Sequence, residues 1–277
     1  MLALAIIFSS TFLLEVANSI GKHSVNKKII SVYSFAFLGV FWCMVFLILS
    51  IFLGAEVKFS PNSIPTLLIR IILECLVTYI SAQAIIKSDR STNGFLGALS
   101  IPLLLVVDSQ LGYSFSPTQY LGLTLVLCSV ALLFIKGGSS KKGVSWTLAA
   151  IIVGVATASL YKYNITHFNS VVVEQVIVLG SMLVFFSLMT YLKDGKLPFV
   201  YLLKRQQGTQ SLSFGLSVAI ESFAFIYAPA TIIIAIKRGL SIIWAIVFGK
   251  RLFNEQNLGV KIIACSVCIS GLALLAI

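Results

Sequence analysis

Thr11, Glu15, Asn18, Ser19 and Lys22 recur at spacings of four, three, one and three. On an α-helix this gathers a carboxylate, an ammonium, an amide and two hydroxyls on one face of an otherwise apolar segment. Such a face belongs against a cavity, and Glu15 lies near mid-segment, where a carboxylate is a candidate for proton exchange. Burial raises such a pKa toward neutrality, whereas a nearby cation lowers it. The alternative is a structural Glu15 locked to Lys22 or to a cation of another helix. Lys237, Ser241 and Trp244 fall at i, i+4 and i+7 and present an ammonium, a hydroxyl and an aromatic surface. With Arg238 beside them, they suit the carboxylate or phosphate of a metabolite; otherwise the two cations snorkel or neutralise a buried glutamate such as Glu15 or Glu221.

Ser213, Ser217 and Glu221 form a third stripe, with Glu221 a second candidate for proton coupling or a partner for Lys237 or Arg238. In a fourth, Arg70, Glu74, Thr78 and Ser81, the first two read as an ion pair within one helix. Tyr79 and Gln83 are further candidates for substrate contact, or else bond between helices. Glu174 and Asp108 read as interfacial, and Glu255 with Asn254 reads as a cap on the helix that follows.

These residues need elements to carry them, and composition says which. The 277 residues are 58% hydrophobic and only 10% charged, with a mean hydropathy of +1.03, which excludes an ordinary soluble globule. The apolar runs are continuous rather than alternating, so they predict helices and not a transmembrane barrel. Gly, Pro, Ser and Lys clusters divide the chain into about ten stretches, near 2–21, 29–54, 64–86, 92–110, 118–136, 144–164, 170–193, 208–228, 231–249 and 257–277. The run Met1–Phe12 lacks a basic flank and continues into Glu15, so it reads as the first span and not as a cleaved leader. A charge at mid-membrane costs about 2.5–3.5 kcal/mol by insertion scales, so each ionisable residue inside a span needs a reason to be there.

The halves echo one another. Ser19-Ile20-Gly21-Lys22 returns as Ser159-Leu160-Tyr161-Lys162, Leu99-Ser100-Ile101 as Leu240-Ser241-Ile242, and Leu121-Gly122 with Cys128-Ser129-Val130 as Leu258-Gly259 with Cys265-Ser266-Val267. The near-constant offset predicts a five-plus-five duplication, residues 1–139 and 140–277. An odd number of spans per unit inverts the second relative to the first, as in many secondary transporters.

Tyr227-Ala228-Pro229-Ala230 leading into Ala235-Ile236-Lys237-Arg238-Gly239-Leu240-Ser241, then Phe253-Asn254-Glu255 and Leu258-Gly259, resembles the second-half signature of the EamA-like permeases, within the drug/metabolite transporter superfamily. The chain departs from that pattern in Asn254, which stands where the family has glycine, and in Ser114–Gln119, which has no acidic residue. Leu14-Glu15-Val16 with Lys22 resembles the first helix of the small multidrug resistance proteins, where the matching glutamate binds protons and cationic drugs in turn. The resemblance implies an all-α integral membrane protein of ten helices in two inverted repeats, with both termini inside.

The charge count points the other way. Loops after odd-numbered spans hold fourteen of the 20 Lys and Arg, against 9 Asp and Glu in all, and the net charge is +11. The positive-inside rule then puts both termini outside a plasma membrane, a bacterial inner membrane by expectation. Basic residues scattered over short loops do not make a nucleic-acid surface. Cys43, Cys75, Cys128, Cys265 and Cys268 lie in apolar runs, and His23 and His167 stand alone, so no redox site, metal or cofactor is expected.

The expected function is a secondary transporter, monomer or homodimer, moving a small polar or amphipathic metabolite by alternating access, with possible proton coupling. The cationic pair favours an amino acid or organic anion. The Glu15 resemblance favours a multidrug or organic cation exporter, and a flippase for a lipid-linked (polyprenyl phosphate) headgroup is a further alternative. No loop has the His-Asp or paired-carboxylate motif of a membrane enzyme.

Overall fold

A computed structural model of the chain describes residues 2–104, 116–137, 141–224 and 230–275, with side chains at all of these except 2–4 and 222–235. Every regular element among them is helical. The long helices are α1 (Leu2–Asn26), α2 (Val32–Phe52) and α3 (Ile64–Lys87), then, after the short α4 (Arg90–Gly97), α5 (Pro117–Ile135), α6 (Val144–His167) and α7 (Val171–Asp194). A four-residue α8 (Phe199–Leu202) leads to α9 (Arg205–Ala224), α10 (Ala230–Phe253) and α11 (Leu258–Leu275). Six of the described helices are long and apolar enough to cross a membrane: α2, α3 with its Pro61 lead-in, α5, α6, α7 and α11.

Local chemistry sets the ends. Ser31 caps α2 by accepting from the Ser34 amide, and α5 opens on a capping box of Ser116 and Gln119 with Pro117 at its first turn. Gly195 stops α7 with φ +67°. Asn254 and Asn257, on either side of Glu255, both take positive φ and turn the chain tightly between α10 and α11. The fourth predicted span, 92–110, starts as α4, loosens into a turn at 98–99 and is helical again over 100–104; the rest of it, Asp108 included, lies outside the described residues.

α1 packs on α9 and α10, α2 on α7 and α9, α3 on α6 and α7, α4 on α6 and α10, and α5 on α11. Two large apolar cores result among the described residues, with a small third cluster of Ile7 against Ile236 and Leu240. One, around Phe37, Leu38, Val178, Met182 and Phe186, joins α2 to α7. The other, around Phe95, Val126, Leu133, Ile242, Cys268 and Leu272, joins α4, α5, α10 and α11. At the α5–α11 crossing a Cβ on Gly122 would lie 2.7 Å from the Gly271 carbonyl oxygen, and one on Gly271 would lie 2.8 Å from that of Gly122. Only glycine permits that approach.

Outside these cores the usual sorting is reversed. Phe52, Leu53, Ile72, Val184 and Leu192 face outward while Glu15, Arg70, Arg90, Glu174 and Lys261 are buried. A surface of large apolar side chains around paired interior charges is how a bundle meets lipid.

Candidate functional site

Between the two cores lies a polar cavity of about 380 Å³, walled by α1, α3, α4, α6, α10 and residues of 100–104. The stripe on α1 faces it: Thr11, Glu15 and Asn18 line the wall, and Ser19 and Lys22 are buried beside it. Across the cavity Arg90 donates from Nε to Glu15 Oε1 at 2.7 Å and from Nη2 to Oε2 at 2.6 Å. This fork-on-fork geometry is the strongest form of a carboxylate–guanidinium contact. Ser19 Oγ adds a longer bond to the same carboxylate at 3.4 Å.

Arg238, Ser241 and Ala245 bring α10 to the wall at i, i+3 and i+7. Arg238 forms no ion pair among the described residues. Its neighbour Lys237, rotated about 100° around the helix, instead donates to Glu221 Oε1 at 2.7 Å. With Glu15 matched to Arg90, and Glu221 bonded to Lys237 while also acting on Arg238, these described groups carry one positive charge in excess. Two buried polar atoms of lining residues also lack a partner among the described residues, Asn18 Oδ1 and Arg90 Nη1.

A second carboxylate lies behind the cavity wall, against the start of α4. Glu255 accepts from the backbone amides of Arg90 and Ser91, from the Ser91 hydroxyl, and from Lys261 Nζ at 2.9 Å. A carboxylate on the exposed amides that begin a helix is favoured by the local dipole, so Glu255 ties the α10–α11 turn to the start of α4. Burial pushes this carboxyl up, but the bonds from Ser91 and Lys261 and from the Arg90 amide outweigh it and hold the group below its ordinary range. Lys22 Nζ donates to the Ser88 carbonyl and lies over the Phe253 ring at 4.9 Å, drawing α1 into the same knot.

The opposite end of the bundle has its own network. Arg70 donates to Glu174 at 2.8 Å and to Gln175 at 3.1 Å, with Tyr161 under its guanidinium at 4.5 Å. Asn164 and Asn169 supply further donors to Glu174 at 2.8 and 2.6 Å, and Thr66 bonds Asn164 at 2.6 Å. α3, α6 and α7 are thereby bolted together.

A second hollow of about 480 Å³ lies against the first, among α1, α2, α3, α6, α7 and α9. Asn18, Val77, Ser81 and Ile85 belong to both walls. Its remaining lining is chiefly apolar, including Phe35, Val40, Leu47, Val178, Met182 and Phe214, with Glu74, Gln175 and Tyr161 among its few polar groups.

The structure therefore gathers Glu15, Asn18, Arg238 and Ser241 at one cavity, with Thr11 and Ser81 beside them, and puts Lys237, Trp244, Tyr79, Gln83 and Glu221 outside its described lining. Trp244 packs edge-on against Phe8 and Phe12 at 4.9 and 5.0 Å. Gln83 donates to Tyr79 OH at 2.9 Å, Tyr79 stacks on Tyr33 at 5.3 Å, and Tyr79 and Gln83 line an outer hollow with Asp194 and Tyr201. Glu174, expected at the interface, is fully buried within the protein, where Arg70, Asn164 and Asn169 satisfy it. One expectation is corrected. Glu255 caps α4 rather than its own following helix, since the paired positive-φ asparagines aim it across the bundle. Arg70 does lie 3.5 Å from Glu74, but its shorter bond is to Glu174.

Arg90 and Lys261 were not among the predicted site residues. Arg90 reads as a loop cation by position, and the only sign of its role is the Ser88-Asp89 break immediately before it, which makes it the first residue of a helix. Among the described residues no group of three or more His, Cys, Asp or Glu is placed to hold a metal. No protein-family model matches the chain, and no curated protein is significantly similar to it.

Proposed function

We propose that the chain is a ten-span secondary transporter built from two inverted five-helix halves, residues 1–139 and 140–277, of the drug/metabolite transporter type. It moves a small polar or amphipathic metabolite by alternating access. The observation that carries this reading is the polar cavity between the halves, with α1, α3 and α4 on one side and α6 and α10 on the other. A charged, partly unsatisfied cavity inside an apolar bundle has no structural use, whereas a solute-binding site at the interface of repeats needs one.

The helix pairings support the duplication. Exchanging α1, α2, α3, α4 and α5 for α6, α7, α9, α10 and α11 turns α1–α9 into α6–α3, α1–α10 into α6–α4 and α2–α9 into α7–α3; it leaves α2–α7, α4–α10 and α5–α11 unchanged. All of these contacts are present. Ser31 at the start of α2 bonds Asp194 at the end of α7, and Asn257 before α11 bonds the Gly137 carbonyl after α5. In these two equivalent pairs the start of one helix meets the end of the other, an antiparallel arrangement that supports inversion. The basic loops all fall at the Glu255 end of the bundle, which the positive-inside rule assigns to the cytoplasm with both termini outside.

Glu15 is the coupling residue in this reading. A proton on it would break the bond to Arg90 and free α4 from α1, which links protonation to movement of one half against the other. The cavity's positive charge favours an anionic or zwitterionic solute such as an amino acid over an organic cation. The test is uptake and counterflow in proteoliposomes under an imposed pH gradient, across amino acids, organic anions and lipophilic cations. Saturable movement of one solute class that loses its pH dependence in Glu15→Gln is the expected result. No movement of any solute by folded protein overturns the reading.

A further inference from the structure

We infer that the two adjoining hollows form one site for an amphipathic anion, a carboxylate or phosphate headgroup at Arg238 with an unbranched apolar tail in the slot between α2, α3 and α7; this rests on the transport reading above and narrows its cargo. The head end is set by charge. Arg238 makes no direct ion pair among the described residues, and the one carboxylate that acts on it, Glu221, is already bonded to Lys237; two cations sharing one carboxylate inside a bundle leave a charge that a bound anion would balance. Arg90 Nη1, buried on the same wall, is a second donor, without an acceptor among the described residues, and the Ser241 hydroxyl stands one turn from Arg238.

The tail end is set by solvation. The second hollow adjoins the first and shares Asn18, Val77, Ser81 and Ile85 with it, and its remaining wall is chiefly apolar, with Phe35, Val40, Val178 and Met182. A wholly polar solute would leave that space to water held against apolar walls, whereas an apolar chain fills it. Glu74 lies on the wall of the slot and disfavours the reverse orientation, with the anion in the slot. The combined hollows fall in the usual size range of small-molecule sites.

The test uses the full chain in phosphatidylcholine nanodiscs, titrated calorimetrically with hexanoate, octanoate, decanoate, decyl phosphate and decyltrimethylammonium, with empty discs subtracted. Decanoate and decyl phosphate should bind at least tenfold more tightly than decyltrimethylammonium, and the carboxylates should tighten about 3- to 4-fold per methylene. Arg238→Gln should lose the preference for anions and keep the chain-length increment. Should that variant fail to fold, Arg238→Lys should keep the preference for anions with weaker binding. Gly39→Leu should do the opposite of Arg238→Gln and flatten the chain-length series, because a Cβ at Gly39 meets only the Phe214 ring at 3.9 Å and the added side chain enters the slot. Equal binding of the ammonium, or no chain-length dependence above empty discs, overturns the inference. Displacement of decanoate by phosphatidic acid in the disc identifies a bilayer lipid as the occupant, and lack of displacement identifies a free amphiphile; both support the site. Binding without transmembrane movement would end the transport reading and leave this site standing, whereas movement of a short polar solute with no amphiphile binding would do the reverse.

Discussion

Arg90 Nη2 lies 2.6 Å from Glu15 Oε2 inside the bundle, so the first residue of α4 is fastened to the middle of α1 by a pair that water barely reaches. Each charge is tolerable there because of the other. Arg90→Met should therefore lower stability by about 3–5 kcal/mol, while Glu15→Gln together with Arg90→Met should cost much less than those two single changes added together. Thermal unfolding of the four proteins in detergent checks this; additive losses would mean that the pair is not coupled.

Acid should loosen the end of the bundle tied by Glu255. Its folded-state pKa is lowered, so its contribution to stability is complete above the ordinary carboxylate range and is lost as pH falls through the folded value. Asp89 has the opposite sign. Burial, and next the nearby Glu255, push it up against the pull of Lys22, Lys261 and Lys142, so its contribution is present at low pH and is lost as pH rises through the raised value. Glu255→Gln should flatten the acid limb of a stability-versus-pH curve, and Asp89→Asn should raise stability at neutral pH. An acid limb unchanged in Glu255→Gln would place the sensitivity elsewhere.

The α5–α11 crossing should not accept a methyl group. With a Cβ at 2.7 or 2.8 Å from a carbonyl oxygen, Gly122→Ala and Gly271→Ala should each cost about 1–3 kcal/mol, since backbone and not a flexible side chain must give way. Gly259→Ala, where a Cβ meets nothing within 4 Å, is the matched control and should be neutral or gain about 0.4–1 kcal/mol. Equal unfolding temperatures for all three would overturn the close packing.

Lys237 and Glu221 should matter less than Arg70 and Glu174. Lys237 makes one bond to Glu221, whereas Arg70 bonds both Glu174 and Gln175 in a fully enclosed network, so Lys237→Gln should shift stability less than Arg70→Gln, which strips Glu174 of its cation. A larger loss in Lys237→Gln would mean that its ion pair is the stronger of the two.

Much of this was legible from periodicity. Thr11, Glu15, Asn18, Ser19 and Lys22 declared an inward face through spacing alone, and all five are buried. Helix spacing could not reveal which cation meets Glu15, because Arg90 comes from 75 residues away and lies in a stretch that reads as loop. Nor could it separate Lys237 from Arg238, since a turn of about 100° decides which of two neighbours sees the cavity and only the packing of α10 on α1 and α4 fixes that rotation. Glu174 reads as an interfacial residue four positions into a helix, and its enclosure depends on Asn164 at the end of α6 and Asn169 in the connection that follows.

The unmatched charge of Arg238 has an electrical consequence. In the transporter proposed here, a cavity that holds one anion is neutral and an empty cavity carries one positive charge. Membrane voltage then acts on the unloaded carrier alone, with up to about 2.3 kcal/mol per 100 mV if the charge crosses the whole field. The return of the empty site, and not the passage of cargo, becomes the step that an energised membrane drives.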